Sequence, residues 1–202
     1  MEKRIAIVIL AAGKSSRMGA IKQLLPWKNT SLLGHSIALA QSAIAADVFV
    51  VVGANAKKII LEVQRNKAVS IVNNDWQQGI GTSISCGVRF IQELGDFQAV
   101  LFLMGDQPFL RRKHLRNIID EYKKHKNGII ASSYKDIENP VVPILFDAAY
   151  FKELSCLEAD KGAKIILEKH KDAVIQIFMN SEFKDVDTPS DYKRYKEQVE
   201  QK

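Results

Sequence analysis

Uninterrupted apolar runs alternate with stretches of mixed polarity along this chain. The first run, Ile5-Ala6-Ile7-Val8-Ile9-Leu10, ends in Ala11-Ala12-Gly13. Asp47-Val48-Phe49-Val50-Val51-Val52 ends at Gly53, and Ala99-Val100-Leu101-Phe102-Leu103-Met104 ends at Gly105. Val69–Val72 and Gly128–Ala131 are shorter versions of the same pattern. Such runs, short and rich in β-branched residues, read as strands buried on both faces. Between them the apolar positions fall at helical spacing: Leu32, Leu33, Ile37, Leu39, Ala40 and Ala43; Ile59, Ile60 and Val63; Leu115, Ile118, Ile119 and Tyr122. Buried strands alternating with one-sided helices predict an α/β protein with a mainly parallel sheet.

After about residue 134 the rhythm loosens. Pro140 and Pro143 interrupt the apolar stretch Asn139–Phe146, which predicts an edge strand or an extended segment and not a central strand. Lys161–His170 reads as a short helix and Val174–Phe178 as a strand. Asp187-Thr188-Pro189 reads as a helix start, with Asp187 as the capping side chain. The helix that follows, Ser190–Glu200, is strongly charged and reads as solvated. No linker or repeat divides the chain, so residues 1–202 are expected to form a single domain.

Lys3 and Arg4 ahead of the first apolar run mimic the start of a signal peptide. The recurrence of the same run downstream favours a strand instead. The 47% apolar and 26% charged fractions are those of an ordinary globular protein. A net charge of +6 suits an anionic ligand, and equally a basic surface. No block of like charge is long enough to serve as a nucleic-acid arm, and no apolar run approaches the length of a membrane span. Cys86 and Cys156 are far apart and in no C-x-x-C pair, which predicts buried thiols in a reducing cytoplasm.

Ligands of parallel α/β sheets sit beyond the carboxyl ends of the strands, where the loop 11–22 begins. Its small residues let backbone N–H groups approach a phosphate closely. Arg17 can fork two phosphate oxygens, and Lys14 and Lys22 add mobile charge. Gly13 and Gly19 do not have the P-loop spacing, nor that of a dinucleotide fingerprint. The loop alone therefore reads as either a phosphate cradle or a solvated basic turn. Asp106, in Gly105-Asp106-Gln107-Pro108, stands at the end of another strand, and Asp187 follows a later apolar run. Two carboxylates facing a phosphate loop can hold Mg2+ against a triphosphate. Taken singly, Asp106 reads equally as a turn residue before proline.

The segment Leu10–Gly19 with Lys22-Gln23-Leu24-Leu25-Pro26, and Gly105–Pro108, resemble nucleotidyltransferases of the glycosyltransferase-A-like fold. Asn73-x-x-Trp76-x-x-Gly79-x-x-x-Ser83, Asp160–Lys164 and Asp185–Pro189 narrow the resemblance to the MobA-like NTP transferases, in the branch of molybdenum cofactor cytidylyltransferases. The resemblance spans nearly the whole chain, and it implies a nucleotide-binding half over 1–110 and an acceptor-side half over 111–202. It implies a Rossmann-like three-layer α/β/α fold and transfer of CMP from CTP to molybdopterin, with release of pyrophosphate. It places Leu10, Ala11, Ala12, Gly13, Gly53, Gly81 and Ser83 around the nucleotide, and Arg17 and Lys22 on phosphates. Arg17, Lys22 and Asp106 become the catalytic set, with Asp106 and Asp187 on Mg2+. The implied partners are CTP, molybdopterin and a molybdoenzyme or its chaperone. Leu-Ala-Ala-Gly resembles the cytidine-using members more than the guanosine-using ones. Glu138 and Ala159 depart from the family's glycines, which leaves the acceptor open. A phosphate nucleophile needs no general base, and His35, His114, His125 and His170 read as surface or capping residues. The competing readings are a cytidylyltransferase for another phosphorylated acceptor, of the methylerythritol phosphate or phosphocholine type, and a non-catalytic carrier of molybdenum cofactor. A Rossmann dehydrogenase lacks its glycine fingerprint.

Overall fold

The computed structural model describes residues 4–43, 47–125, 127–135, 137–179 and 184–200, with Glu138 by its backbone alone. The strands are β1 (Ile5–Leu10), β2 (Pro26–Trp27), β3 (Thr30–Ser31), β4 (Asp47–Val52), β5 (Val69–Val72), β6 (Ala99–Met104), β7 (Ile129–Tyr134), β8 (Ile137–Asp147) and β9 (Val174–Phe178). The helices are α1 (Leu32–Ala43), α2 (Ala56–Arg65), α3 (Ile80–Leu94), α4 (Arg112–Lys124), α5 (Phe151–Leu154), α6 (Lys164–Lys169) and α7 (Pro189–Glu200).

One sheet runs in the order β5-β4-β1-β6-β8-β7-β9. Only β8 runs against the others. β1 lies inside the sheet between β4 and β6, which explains why all its residues are buried and apolar. Its side chains alternate between the layers. Ile5, Ile7 and Ile9 pack with α1, α2 and α4, and Ala6, Val8 and Leu10 pack with α3, α5 and α6. Helices therefore cover both faces, as expected for a Rossmann-like three-layer α/β/α fold.

The expectation of an edge strand over Asn139–Phe146 is overturned, because β8 sits between β6 and β7. Its prolines avoid the ladder. Pairing with β6 begins only at Ile144. Against β7, Ala131 faces Ile144 and Ser132 already faces Val141, so Val142 and Pro143 fall in a bulge. Proline's missing N–H thus removes no ladder bond there. Ser132 Oγ donates to Pro143 O at 2.8 Å and closes the irregularity.

The start of α7 also differs from expectation. Its cap is Thr188, not Asp187: Asp191 N donates to Thr188 Oγ1 at 3.2 Å, and Thr188 N donates to Asp191 Oδ2 at 3.0 Å. This is a reciprocal capping box with Pro189 at the first helical position. Nor is α7 wholly solvated. Tyr195 is buried and meets Phe109 edge-on at 5.3 Å, within a small cluster that includes Met18, Trp27 and Val186. That cluster fixes both the opening loop and the segment before α7 on the strand-end side of the sheet. The buried-thiol expectation fails as well, since Cys156 is exposed and Cys86 half-buried. Among the described residues no helix is long and apolar enough to cross a membrane.

Candidate active site

β1 and β6 are adjacent and parallel, so their carboxyl ends open side by side. The chain leaving β1 is held by its neighbours: Ala11 N donates to Val51 O at 2.9 Å, Ala54 N to Ala12 O at 2.9 Å, and Gly105 N to Leu10 O at 3.2 Å. Beyond Gly13 the loop turns through left-handed Ser15 (φ 59°) into a short 3-10 turn over Ser16–Met18. Buried Met18 anchors it in the cluster beneath α7.

Gln23 braces the loop from inside. Its side chain is buried, and Nε2 donates to Ala11 O at 3.0 Å and to Gly13 O at 3.1 Å. These bonds engage the carbonyls of the strand-end turn. Sequence reasoning assigned Gln23 no role, although it lies in the Lys22–Pro26 stretch of the resemblance. The available signal was an amide side chain immediately after a basic residue in a Gly-rich loop.

Two cavities open on either side of Gly13. One, of about 350 Å³, is lined by Ala11, Ser15, Ser16, Arg17, Lys22, Gly105, Asp106 and Asp187 among others. The second, of about 300 Å³, is lined by Ala12, Lys14, Trp76, Gln77, Gly79, Ile80 and Ser83. Leu10, Gly13 and Met104 border both. A Cβ built on Gly13 would meet no protein atom within 4 Å and would project into open space.

The first cavity holds a charged cluster. Lys22 Nζ donates to Asp106 Oδ2 at 2.6 Å and to Asp187 Oδ1 at 3.2 Å. The Lys22 and Asp106 side chains are each only 13% exposed, against 42% for Asp187. Burial lowers the Lys22 pKa, but the Asp106 and Asp187 carboxylates outweigh it and hold the ammonium above its ordinary value. Arg17 stands at the rim, 72% exposed, with Nη2 3.4 Å from Asp187 Oδ2. Asp187 is carried there by a bond from Val186 N to Asp106 O at 3.1 Å. Asp106 Oδ1 is buried with no hydrogen-bond partner.

Behind this cluster, Gln107 Nε2 donates to Asp185 Oδ1 at 3.0 Å. Burial, reinforced by the Asp106 charge, pushes the Asp185 carboxyl up to about 6. Sequence reasoning quoted Asp185 without a role.

The structure gathers Leu10, Ala11, Gly13, Arg17, Lys22, Asp106 and Asp187 at the first cavity, and Ala12 and Ser83 at the second. Gly53 and Gly81 line neither. A Cβ on Gly53 would come within 2.5 Å of Trp76 and 2.9 Å of Ala12 O, so this glycine is demanded by packing behind the loop. Gly81 sits under the 158–161 segment, to which its N–H donates at 2.8 Å through Ala159 O. Of the histidines, His114 accepts from Arg111 N at 3.2 Å and caps α4, while His35 approaches Pro108 O at 3.1 Å. His125 and His170 pair with Glu121 and Glu153 away from the site.

Residues 7–174 match the MobA-like NTP transferase domain. The chain belongs to the MobA-like NTP transferase family. This MobA-like chain is 30% identical over 198 residues to the purine catabolism protein PucB of Bacillus subtilis, covering 92% of each. It is 28% identical over 170 residues to the nicotine blue oxidoreductase of Paenarthrobacter nicotinovorans, covering 80% of each. Among solved structures, Rv0371c of Mycobacterium tuberculosis in complex with manganese superposes with a TM-score of 0.80 at 27% identity, over 98% of this chain and 100% of that one.

Proposed function

We propose that this MobA-like transferase moves CMP from CTP to the terminal phosphate of molybdopterin and releases pyrophosphate. The observation that carries this reading is the pair of cavities meeting at Gly13, one charged and one lined by Ala12, Trp76 and Ser83. The charged side suits a triphosphate, and the side against Trp76 suits a flat base. The acceptor rests on the family resemblance.

In this reading an ionised phosphate oxygen of the acceptor attacks the α-phosphorus of CTP. A new P–O bond forms as the bond to pyrophosphate breaks on the opposite side. Catalysis is then mostly positioning and charge neutralisation. Arg17 forks oxygens of the leaving pyrophosphate, and the braced turn offers the backbone N–H groups of Ala12 and Gly13 to the phosphates. No group need remove a proton from the acceptor.

Asp106 and Asp187 would hold Mg2+. Buried, unpartnered Asp106 Oδ1 fits a hard cation. Among the described residues no cluster of three His, Cys, Asp or Glu side chains could hold a metal by itself. Mg2+ takes one or two carboxylates and completes its shell with phosphate oxygens and water. Rv0371c, whose structure holds manganese, supports a divalent cation for this fold. When bound, the ion supplies charge stabilisation to the transferring phosphoryl group.

The test is competition between CTP and GTP with molybdopterin as acceptor. CTP should be used well ahead of GTP, and Ala12→Gly should relax the preference by about 10- to 200-fold at most, the range one methyl commands in a packed pocket. Equal use of both nucleotides by the wild type defeats the cytidine assignment. Good turnover with another phosphorylated acceptor, and none with molybdopterin, reassigns the acceptor.

A further inference from the structure

We propose that Lys22 is a built-in counter-ion that occupies the cation position between Asp106 and Asp187 and yields it only when nucleotide arrives. Divalent metal and nucleotide then bind as a coupled pair, and the free protein takes up metal poorly. This rests on the reading above, in which the two carboxylates hold the metal.

Three observations support it. The ammonium bridges both carboxylates, at 2.6 Å and 3.2 Å, so it stands where an ion shared by them would stand. The Lys22 and Asp106 side chains are each only 13% exposed, so solvent and salt screen the pair weakly. Yet the lysine satisfies only half of Asp106, whose Oδ1 stays buried and unpartnered. An unsatisfied buried acceptor is costly, and a divalent ion with several ligand positions would satisfy it.

A divalent ion entering this space meets a positive charge at contact distance. It binds well only if the ammonium leaves. Lysine is suited to leaving, with a compact charge on a flexible four-carbon stem. The stem starts from a short 3-10 turn over Lys22–Leu24, whose Gln23 is locked to the strand-end turn. The backbone can therefore stay in place while the side chain swings. Phosphates in the same cavity would give the ammonium its new partner. Arg17 cannot fill this role from its position, since it is 72% exposed and reaches only Asp187, at 3.4 Å.

The test titrates the full chain with Mn2+, without nucleotide, and follows free Mn2+ by electron paramagnetic resonance. Lys22→Met and Lys22→Gln should bind Mn2+ at least about tenfold more tightly than the wild type, well within the couplings seen between linked sites. Adding Asp106→Asn to either variant should abolish the gain. Mn2+ should also raise the melting temperature of the Lys22 variants more than that of the wild type, which reports on the same site and on folding together. With CTP present the wild type should form a ternary complex. Equal or weaker Mn2+ binding by both Lys22 variants, with that ternary complex intact, overturns the counter-ion role and leaves the metal reading standing. Failure of the wild type to bind Mn2+ even with CTP overturns the metal reading, and this proposal with it.

Discussion

Asp106→Ala should lower nucleotidyl transfer by roughly 10³-fold, about what is lost when a preorganised charge-stabilising group is removed. Asp106 ends β6 beside the end of β1, with Oδ2 on Lys22 and Oδ1 free and buried. Truncation removes both the proposed metal ligand and the main partner of Lys22. It should not remove the fold. The backbone bond from Val186 N to Asp106 O survives, and Lys22 keeps Asp187 at 3.2 Å. Lost turnover at saturating Mg2+, with a melting temperature within a few degrees of wild type, is the expected pair of results. Asp106→Asn, which keeps the shape and drops the charge, should lose nearly as much. Turnover within about tenfold of wild type for the alanine variant would remove Asp106 from the reaction.

Gly81→Ala should destabilise the protein by about 3 kcal/mol, the upper part of the usual range for overpacking. A Cβ there would lie 2.7 Å from Glu158 O, 2.8 Å from Ala159 O and 2.8 Å from Lys161 O. All three are backbone atoms, so no side chain can swing aside. The first turn of α3 or the 158–161 segment must move, and with it the bond from Gly81 N to Ala159 O. Because Gly79, Ile80 and Ser83 line the second cavity, nucleotide affinity should fall along with stability. A fall in melting temperature of roughly 6–12 °C is expected, at about 2–4 °C per kcal/mol for a chain of this size. Gly13→Ala is the contrasting control. Its Cβ meets nothing within 4 Å, so stability should hold while the methyl intrudes on the space between the cavities and weakens nucleotide binding. Equal stability of both variants would mean that the 158–161 segment is not firmly seated on α3.

The two glycines look alike in sequence, and only the fold separates them. The same holds for Gly53, which is required by Trp76 behind the loop and lines neither cavity. A glycine in a loop signals that a side chain is unwelcome. It does not say whether ligand or protein takes the space.

What the sequence determined by itself was local. The apolar runs of β1, β4 and β6 mark strands buried on both faces, because a covered parallel sheet accepts five or six such residues in succession. Once those strands are parallel, the loop at 11–22 and Asp106 must share one end of the sheet, so their meeting at a candidate site was legible. Its inner arrangement was not. Lys22 and Asp106 are 84 positions apart, and Lys22 and Asp187 165 apart. Their meeting depends on strand order and on α7 docking through Tyr195, neither of which is written in any local window. The prolines of β8 misled for a related reason. They forbid a ladder bond at their own positions, but only the register with β6 and the bulge against β7 reveal that none is asked of them. Thr188 took the cap from Asp187 through a bond to Asp191, leaving the Asp187 carboxylate at the charged cavity. Periodicity is a property of neighbours in sequence, whereas charge pairing and close packing belong to neighbours in space.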